Sequence, residues 1–287
     1  MSVSGLRRRL ACPSLSAARL CGFAAGVVFA LGIAPTDSHC ETLRTGGTGA
    51  AVGMLQQLSA AFSAHDLDTK LEVIPGLGSS GAIAAVADGA LDFAVAGRPL
   101  KPDEAVKSLT SVVLARTPFG LASSYPAPGN IASRDIAAFF LNPTAAWPDS
   151  TRVRIILRTR DDSDTSTLGA AFAGMLAAVE QLRQRAEIPI AVTDQDNVRI
   201  ARQVEGALTA VSLTQVVTES PYLHFLAIDG VEPTLENFER GTYPYGKDLF
   251  IVFPARNKPA IERLVAFIRS PEGEKLLRET GNLAAQP

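Results

Sequence analysis

The sequence predicts an α/β fold with a largely parallel β-sheet. Three times along the chain, a short apolar strand is followed by a loop of small and hydroxylated residues and then by an amphipathic helix. The strands are TLR, LEVI and RVRIIL, and the loops after them are TGGTGA, PGLGSSG and RTRDDSDTST. Apolar and β-branched runs of this kind are typical of buried strands, and their alternation with helices indicates an α/β architecture.

The helix after each loop carries apolar residues at spacings of three and four, which is the pattern of a helix packed against a core. The predicted apolar faces are Val52, Leu55, Leu58 and Phe62; Ile83, Val86, Ala87 and Ala90; and Leu168, Phe172, Met175, Val179 and Leu182. The third set predicts a single helix over residues 168–182. Each loop therefore leads from the end of a strand into the start of a helix.

The first forty residues have the composition of a secretory signal peptide. Arg7, Arg8 and Arg9 precede an uncharged, almost wholly apolar stretch over residues 20–31, and the polar segment PTDSHC follows it. A basic segment, a short apolar segment and a polar break are the parts of such a signal. The apolar stretch is shorter than the roughly 20 residues of a membrane span, although a retained anchor is the alternative. We predict export to the periplasm with cleavage near Glu41.

Composition limits the classes of protein to consider. The chain has 287 residues, of which 47% are apolar and 20% are charged, as in a globular protein. Removing residues 1–40 takes away four arginines and one aspartate, which changes the formal charge from −2 to −5. An acidic exported protein is a poor candidate for nonspecific nucleic-acid binding. The cysteines (Cys12, Cys21 and Cys40) all lie in that segment, so the mature chain has no disulfide framework or cysteine metal site.

The segment GLGSSGAI, residues 76–83, is a candidate anion site. In open α/β sheets, ligands bind beyond the carboxyl ends of strands, where loops lead into helices. The first amides of a helix have no partner within it and lie at the positive end of its dipole. Glycines admit an oxyanion to those amides, and Ser79 and Ser80 add hydroxyl donors. The alternative is that the serines only cap the helix.

Six segments in this order resemble the phosphate-binding-protein-like family of type II periplasmic solute-binding proteins. They are RTGGTGAAVGMLQQL, GLGSSGAIAAVADGALDFAVAGRPL, FFLNPTAAWPDSTRV, RDDSDTSTLGAAF, DGVEPTLENFERGTYPYGKDLFIVF and FIRSPEGEKLL. The resemblance spans nearly all of residues 42–287. It implies a Venus flytrap, in which two α/β lobes with mixed, largely parallel sheets close on a ligand. The implied lobes are residues 42–117 with 222–287, and residues 118–221.

The resemblance also implies which residues bind the ligand. The candidate ligand-binding residues are Thr48, Gly49, Ala50, Ser79, Ser80, Gly81, Arg98, Arg160, Asp164, Thr165 and Ser166. Arg160 matches the family's arginine at the start of the second lobe's loop, with Arg158 as the alternative register. Arg160 could equally be a solvated charge within RTRDD.

Two positions depart from the family's pattern. Gly97 stands where phosphate binders usually have an aspartate, and Asp164 stands where they usually have a serine. An ionised carboxylate accepts hydrogen bonds but donates none, so Asp164 would repel a bare oxyanion. It could instead accept a proton or an amine of the ligand, neutralise Arg160, or cap the following helix. The identity of the ligand is therefore open.

The function that the resemblance implies is capture of phosphate or a related small anion for an ABC importer. Such a protein would act as a monomer, without a cofactor, and would meet the importer's permease subunits. An exported sensor or scaffold with another ligand is the alternative. A nucleotide-dependent enzyme fits less well, because Gly47, Gly49 and Gly53 miss the spacing of the dinucleotide motif. No sequence pattern pairs His65 or His224 with a serine, so we predict no catalysis.

Overall fold

The computed structural model describes residues 40–285. The strands are β1 (Glu41–Gly47), β2 (Thr69–Ile74), β3 (Phe93–Ala96), β4 (Leu109–Ser123), β5 (Asn130–Ile131), β6 (Arg154–Ile155), β7 (Leu157–Arg158), β8 (Ile190–Ala191), β9 (Ala207–Ser212), β10 (His224–Phe225), β11 (Ala227–Ile228), β12 (Gly246–Pro254) and β13 (Leu283–Ala284). The helices are α1 (Val52–His65), α2 (Gly78–Ala87), α3 (Pro102–Ala105), α4 (Ile136–Leu141), α5 (Ser163–Ala171), α6 (Met175–Leu182), α7 (Asp194–Gln203), α8 (Leu213–Glu219), α9 (Leu235–Glu239), α10 (Pro259–Ile268) and α11 (Pro271–Glu279).

The predicted signal peptide, residues 1–40, lies outside the described residues except for Cys40, whose side chain is exposed. Within residues 40–285, none of the helices combines the length and the apolar character that a membrane crossing requires.

The main sheet is mixed and has the strand order β2-β1-β3-β12-β4-β9-β6. The strands that lead into helices pair in parallel: β1 with β2 and β3, and β6 with β9. The long strands β4 and β12 pair antiparallel with each other, and β3 and β9 pair antiparallel with them. The α/β class predicted from the sequence is confirmed, and the antiparallel pairs come from the two strands that run through the middle of the sheet.

Strand β4 is shared by two hydrophobic cores, and this gives the fold its two lobes. Its first part pairs with β12, and its last part, from Phe119 onwards, pairs with β9. The core of the first lobe contains Leu43, Leu58, Phe62, Phe93, Leu114, Leu249 and Leu264. The core of the second lobe contains Phe119, Leu121, Phe140, Trp147, Phe172, Met175 and Tyr243.

The packing after residue 221 bears on the lobe boundaries. Leu226, Ile228, Phe238 and Tyr243 belong to the core of the second lobe, because β10 pairs with the end of β4. The chain returns to the first lobe at β12, whose first residue pairs with Pro118. We therefore propose boundaries near residues 117/118 and 245/246, whereas the sequence placed the second one at 221/222.

The third strand–loop–helix unit is more broken than the sequence predicts. The segment RVRIIL and the arginine after it form two short strands, β6 and β7, and the helix predicted over residues 168–182 is divided into α5 and α6. Phe172 is extended, and Gly174 has a φ of 76°, a left-handed conformation that glycine adopts without steric cost. The apolar spacing continues across the break because both helices pack on the same core.

Candidate functional site

A cavity of about 230 Å³ lies where α2, α5 and α7 begin, and we call it the Ser79 cavity. Its lining comes from the predicted loops and from residues 192–195 around the start of α7: Gly49, Gly76, Leu77, Gly78, Ser79, Ser80, Arg158, Thr159, Asp161, Asp162, Ser163, Val192, Thr193, Asp194 and Gln195. Three of the candidate ligand-binding residues, Gly49, Ser79 and Ser80, are therefore brought together.

The start of α2 supplies hydrogen-bond donors to this cavity. Ser79 is buried, and its Oγ accepts a hydrogen bond of 3.0 Å from the amide of Gly97. The hydroxyl hydrogen of Ser79 remains for a second partner. Because α2 has ten residues, its first amides add the positive end of a helix dipole to the same wall.

Arg98 holds Ser80 in place from behind this wall. Its guanidinium donates to the Oγ of Ser80 at 2.8 Å and to both carboxylate oxygens of Glu104 at 2.7 Å. The hydrogen bonds from Arg98 lower the pKa of Glu104, so that this pair stays ionised. Arg98 does not line the Ser79 cavity. Its role in the structure is to fix the position of a serine.

Four further candidate residues, Thr48, Ala50, Gly81 and Thr165, do not line the cavity. Thr48 and Ala50 are buried, and Gly81 is exposed on α2. The hydroxyl of Thr165 donates to the carbonyl of Thr159 at 2.8 Å, which secures the turn before α5.

Ser166 faces a second, larger cavity of about 710 Å³, which we call the Tyr245 cavity. Arg98, Lys247 and Phe250 also line it. The hydroxyl of Ser166 donates to the carbonyl of Ser163 at 2.8 Å. The prediction thus assigned to one site two serines, Ser79 and Ser166, that line different cavities.

The structure brings Arg158, and not Arg160, to the Ser79 cavity. Arg158 ends β7, is 4% exposed, and donates to Asp162 at 2.6 Å and to Asp194 at 3.2 Å. The side chain of Arg160 is 63% exposed and pairs with Glu180 on α6. Two residues beyond the strand, the chain has turned towards solvent. Of the two arginines of RTR, the structure therefore places Arg158, the alternative register, in the cavity lining, and Arg160, the residue that the sequence analysis favoured, outside it.

Asp164 is neutralised by a residue that the sequence analysis did not identify. The ammonium group of Lys247, on β12 of the first lobe, forms a buried ion pair with Asp164 on α5 of the second lobe. Lys247 also donates to the Oγ of Ser163 at 3.0 Å. The Nζ of Lys247 therefore joins the two lobes directly beside Ser163, which lines the Ser79 cavity.

The same lysine accounts for Gly97. A Cβ atom on residue 97 would lie 2.3 Å from the Cε of Lys247 and 2.8 Å from the Oγ of Ser163. Any side chain at position 97 would therefore displace the lysine. The structure links the two positions, because Gly97 leaves room for Lys247 and Asp164 pairs with that lysine. The glycine and the unexplained acid together were the sequence signal for a buried cation.

Carboxylates outnumber cations in this part of the structure. Asp162, Asp164 and Asp194 face Arg158 and Lys247. Oδ2 of Asp164 and Oδ1 of Asp194 are buried without a hydrogen-bond partner. Burial, reinforced by the charge of Asp164, raises the pKa of Asp194 to about 7. Burial alone would lower the pKa of Lys247, but the charge of Asp164 and those of the other two acids outweigh it and raise that pKa.

The raised pKa of Asp194 predicts that stability falls as pH rises between about 4 and 7. Its ordinary pKa is 3.8, so in this window the folded protein holds a proton that the unfolded chain has lost. This loss of stability is absent below the window and complete above it. We expect Asp194→Asn to reduce this slope in urea unfolding curves measured from pH 4.5 to 7.5.

Asp196→Asn is the control for this measurement. Asp196 lies on the same helix, and a hydrogen bond from Arg199 lowers its pKa. The stability that Asp196 contributes is therefore lost only at lower pH. An equal slope in the wild type and in Asp194→Asn would contradict the assignment.

The two lobes around a cleft define a class of protein, the two-lobed α/β binding proteins. A family model described as the PBP superfamily domain matches residues 33–272. The chain therefore belongs to the phosphate-binding-protein-like superfamily. Among curated proteins, no significant sequence match was found.

Solved structures have the same fold at low sequence identity. A putative phosphate ABC transporter substrate-binding protein with bound phosphate from Clostridium perfringens has a TM-score of 0.72 and 18% identity, covering 86% of this chain and 100% of that one. An ABC-type phosphate transport receptor from Vibrio cholerae has a TM-score of 0.60 and 15% identity, with coverage of 85% and 100%. The periplasmic molybdate-binding protein of Azotobacter vinelandii has a TM-score of 0.60 and 13% identity, with coverage of 85% and 100%.

Proposed function

We propose that this chain is a periplasmic solute-binding protein that captures a small ligand with an anionic group, phosphate or a related one, for an ABC importer. A solute-binding role is supported by the family and by the fold. The observation that supports an anionic group in the ligand is the Ser79 cavity, where Ser79, Ser80 and the first amides of α2 meet between the lobes. Export is supported by the composition of residues 1–40, and import by the resemblance to transport receptors.

The ligand is bound and not transformed in this proposal. The two histidines among the described residues lie away from the Ser79 cavity: His65 packs against Phe267 at the end of α1, and His224 is exposed on β10. Closing the lobes on the ligand would bring the walls formed by α2 and α5 together. Closure by a shift between open and closed populations is the usual behaviour of hinged binding proteins.

Calorimetric titration with inorganic phosphate, sulfate, molybdate and simple phosphate esters tests the anionic group. With the tightest anion, Ser79→Ala should weaken binding by about 0.5–1.5 kcal/mol, because one neutral hydrogen bond is lost while the amides remain. Ser166→Ala is the matched control, since that hydroxyl lies in the other cavity, and it should leave the affinity unchanged. A larger loss in Ser166→Ala than in Ser79→Ala would place the anion elsewhere. If no anion in the panel binds, and no zwitterion with a phosphate or carboxylate group binds either, the proposal of an anionic group fails.

A further inference from the structure

We propose that the ligand is a small zwitterion, whose anionic group binds at the start of α2 and whose ammonium group binds beside Asp194. This inference rests on the proposed function, which supplies the site and the anionic group, and it adds a second charge to the ligand. Its basis is a separation of charge across the Ser79 cavity.

One wall of the cavity favours an anion. Residues 76–80 contribute glycines, Leu77 and two serines to the lining, and no carboxylate. The hydroxyl of Ser79 and the first amides of α2 are donors, and the helix dipole adds positive charge. An oxyanion on this side meets donors alone.

The opposite wall favours a cation. Asp161, Asp162 and Asp194 line it, with Arg158 as its one positively charged side chain. Arg158 contacts two carboxylates, those of Asp162 and Asp194, and both belong to this wall. Its charge is therefore already shared between them. The neighbouring Lys247 is paired with Asp164. The acids therefore exceed the cations on this side, and a second anionic group of a ligand would be repelled.

Asp194 has an unused acceptor in this wall. The residue is 3% exposed, and its Oδ1 has no hydrogen-bond partner, while Arg158 donates to Oδ2. Buried carboxylate oxygens are normally hydrogen-bonded, because an unsatisfied one carries the full cost of its desolvation. The burial that raises the pKa of Asp194 to about 7 would be offset by a positive charge beside it. An ammonium group supplies both the donor and the charge.

The size of the cavity limits the ligand to a few heavy atoms between its two charged groups. At about 230 Å³ it is smaller than the roughly 300–1,000 Å³ of sites for drug-sized molecules. Molecules of the size of a short amino acid or an aminoalkyl phosphate fit this description. A phosphate and a carboxylate share the chemistry that the α2 wall recognises, so the test includes both.

Two matched pairs of probes isolate the ammonium group: O-phosphoethanolamine against ethyl phosphate, and β-alanine against propionate. Each pair has the same anionic group, and only the first member has an ammonium group. By calorimetry with the full-length mature chain, we expect at least one zwitterion to bind about tenfold or more tightly than its partner, as for a hydrogen bond to a charged group. Equal or weaker binding of both zwitterions overturns the inference.

A variant then assigns the effect to Asp194. In Asp194→Asn, the affinities for the zwitterion and for its partner probe should lie within about threefold of each other. The control is Asp196→Asn, on the same helix but outside the cavity lining, and it should keep the full difference in affinity. Retained discrimination in Asp194→Asn overturns the assignment. If this variant does not fold, the comparison in the wild type still decides. Tight binding of inorganic phosphate without any preference for zwitterions would overturn this inference and leave the proposed function standing, whereas no binding by any probe would contradict both.

Discussion

Replacing Lys247 with methionine should destabilise the protein by about 3–5 kcal/mol, the usual cost of removing one partner of a buried ion pair. The side chains of Lys247 and Asp164 are each 1% exposed. Without the ammonium group, the buried carboxyl group of Asp164 has no partner for its charge. Urea unfolding followed by circular dichroism measures the loss.

A second substitution separates the charge from the packing. The double variant Lys247→Met/Asp164→Asn leaves no buried charge at either position and should recover most of the lost stability, so that the two substitutions are strongly non-additive. Lys258→Met is the control, because that lysine is 45% exposed and pairs with Glu41 and Asp92 at the surface. It should cost no more than about 1 kcal/mol. Additive losses in the double variant would show that Lys247 and Asp164 do not form a stabilising pair.

The sequence allowed the first two strand–loop–helix units to be predicted because their signals are local. Each of these elements is marked by a pattern within one short, continuous stretch of the chain. The strands β1 and β2 show alternation, and the helices α1 and α2 show an apolar face. The position of Ser79 at the start of α2 follows from the same window. Local patterns therefore predicted the wall of the cavity that one helix provides.

Lys247 was missed because its burial depends on a contact between distant parts of the chain. It lies near the start of β12 in YGKDLFIVF, where a lysine ordinarily predicts an exposed position, and it is 83 residues from Asp164. The sequence favoured Arg160 over Arg158, whereas the structure places Arg158 in the cavity lining, for a related reason. The segment RTR is locally symmetrical, and only the end of β7 and the position of Glu180 decide which arginine is buried.

The second large effect is expected for Arg158→Met, which leaves Asp162 and Asp194 without their shared cation. Both acids are largely buried, so we expect a loss of about 3–5 kcal/mol in the free energy of unfolding at pH 7. The loss should shrink as pH falls towards 5, because the pKa values of both acids are already raised by burial and protonation removes their charge.

Arg160→Met provides the matched control, two residues along the chain. Its guanidinium pairs with Glu180 in solvent, so the urea midpoint should not change, since exposed pairs contribute little to stability. Arg158→Lys separates charge from geometry: lysine keeps the positive charge but lacks the planar fork that reaches Asp162, Asp194 and the carbonyl of Ala191 together. The free energy of unfolding of Arg158→Lys should lie between those of the wild type and Arg158→Met. If Arg160→Met is the more damaging variant, both the register of this loop and the assignment of Arg158 to the Ser79 cavity are wrong.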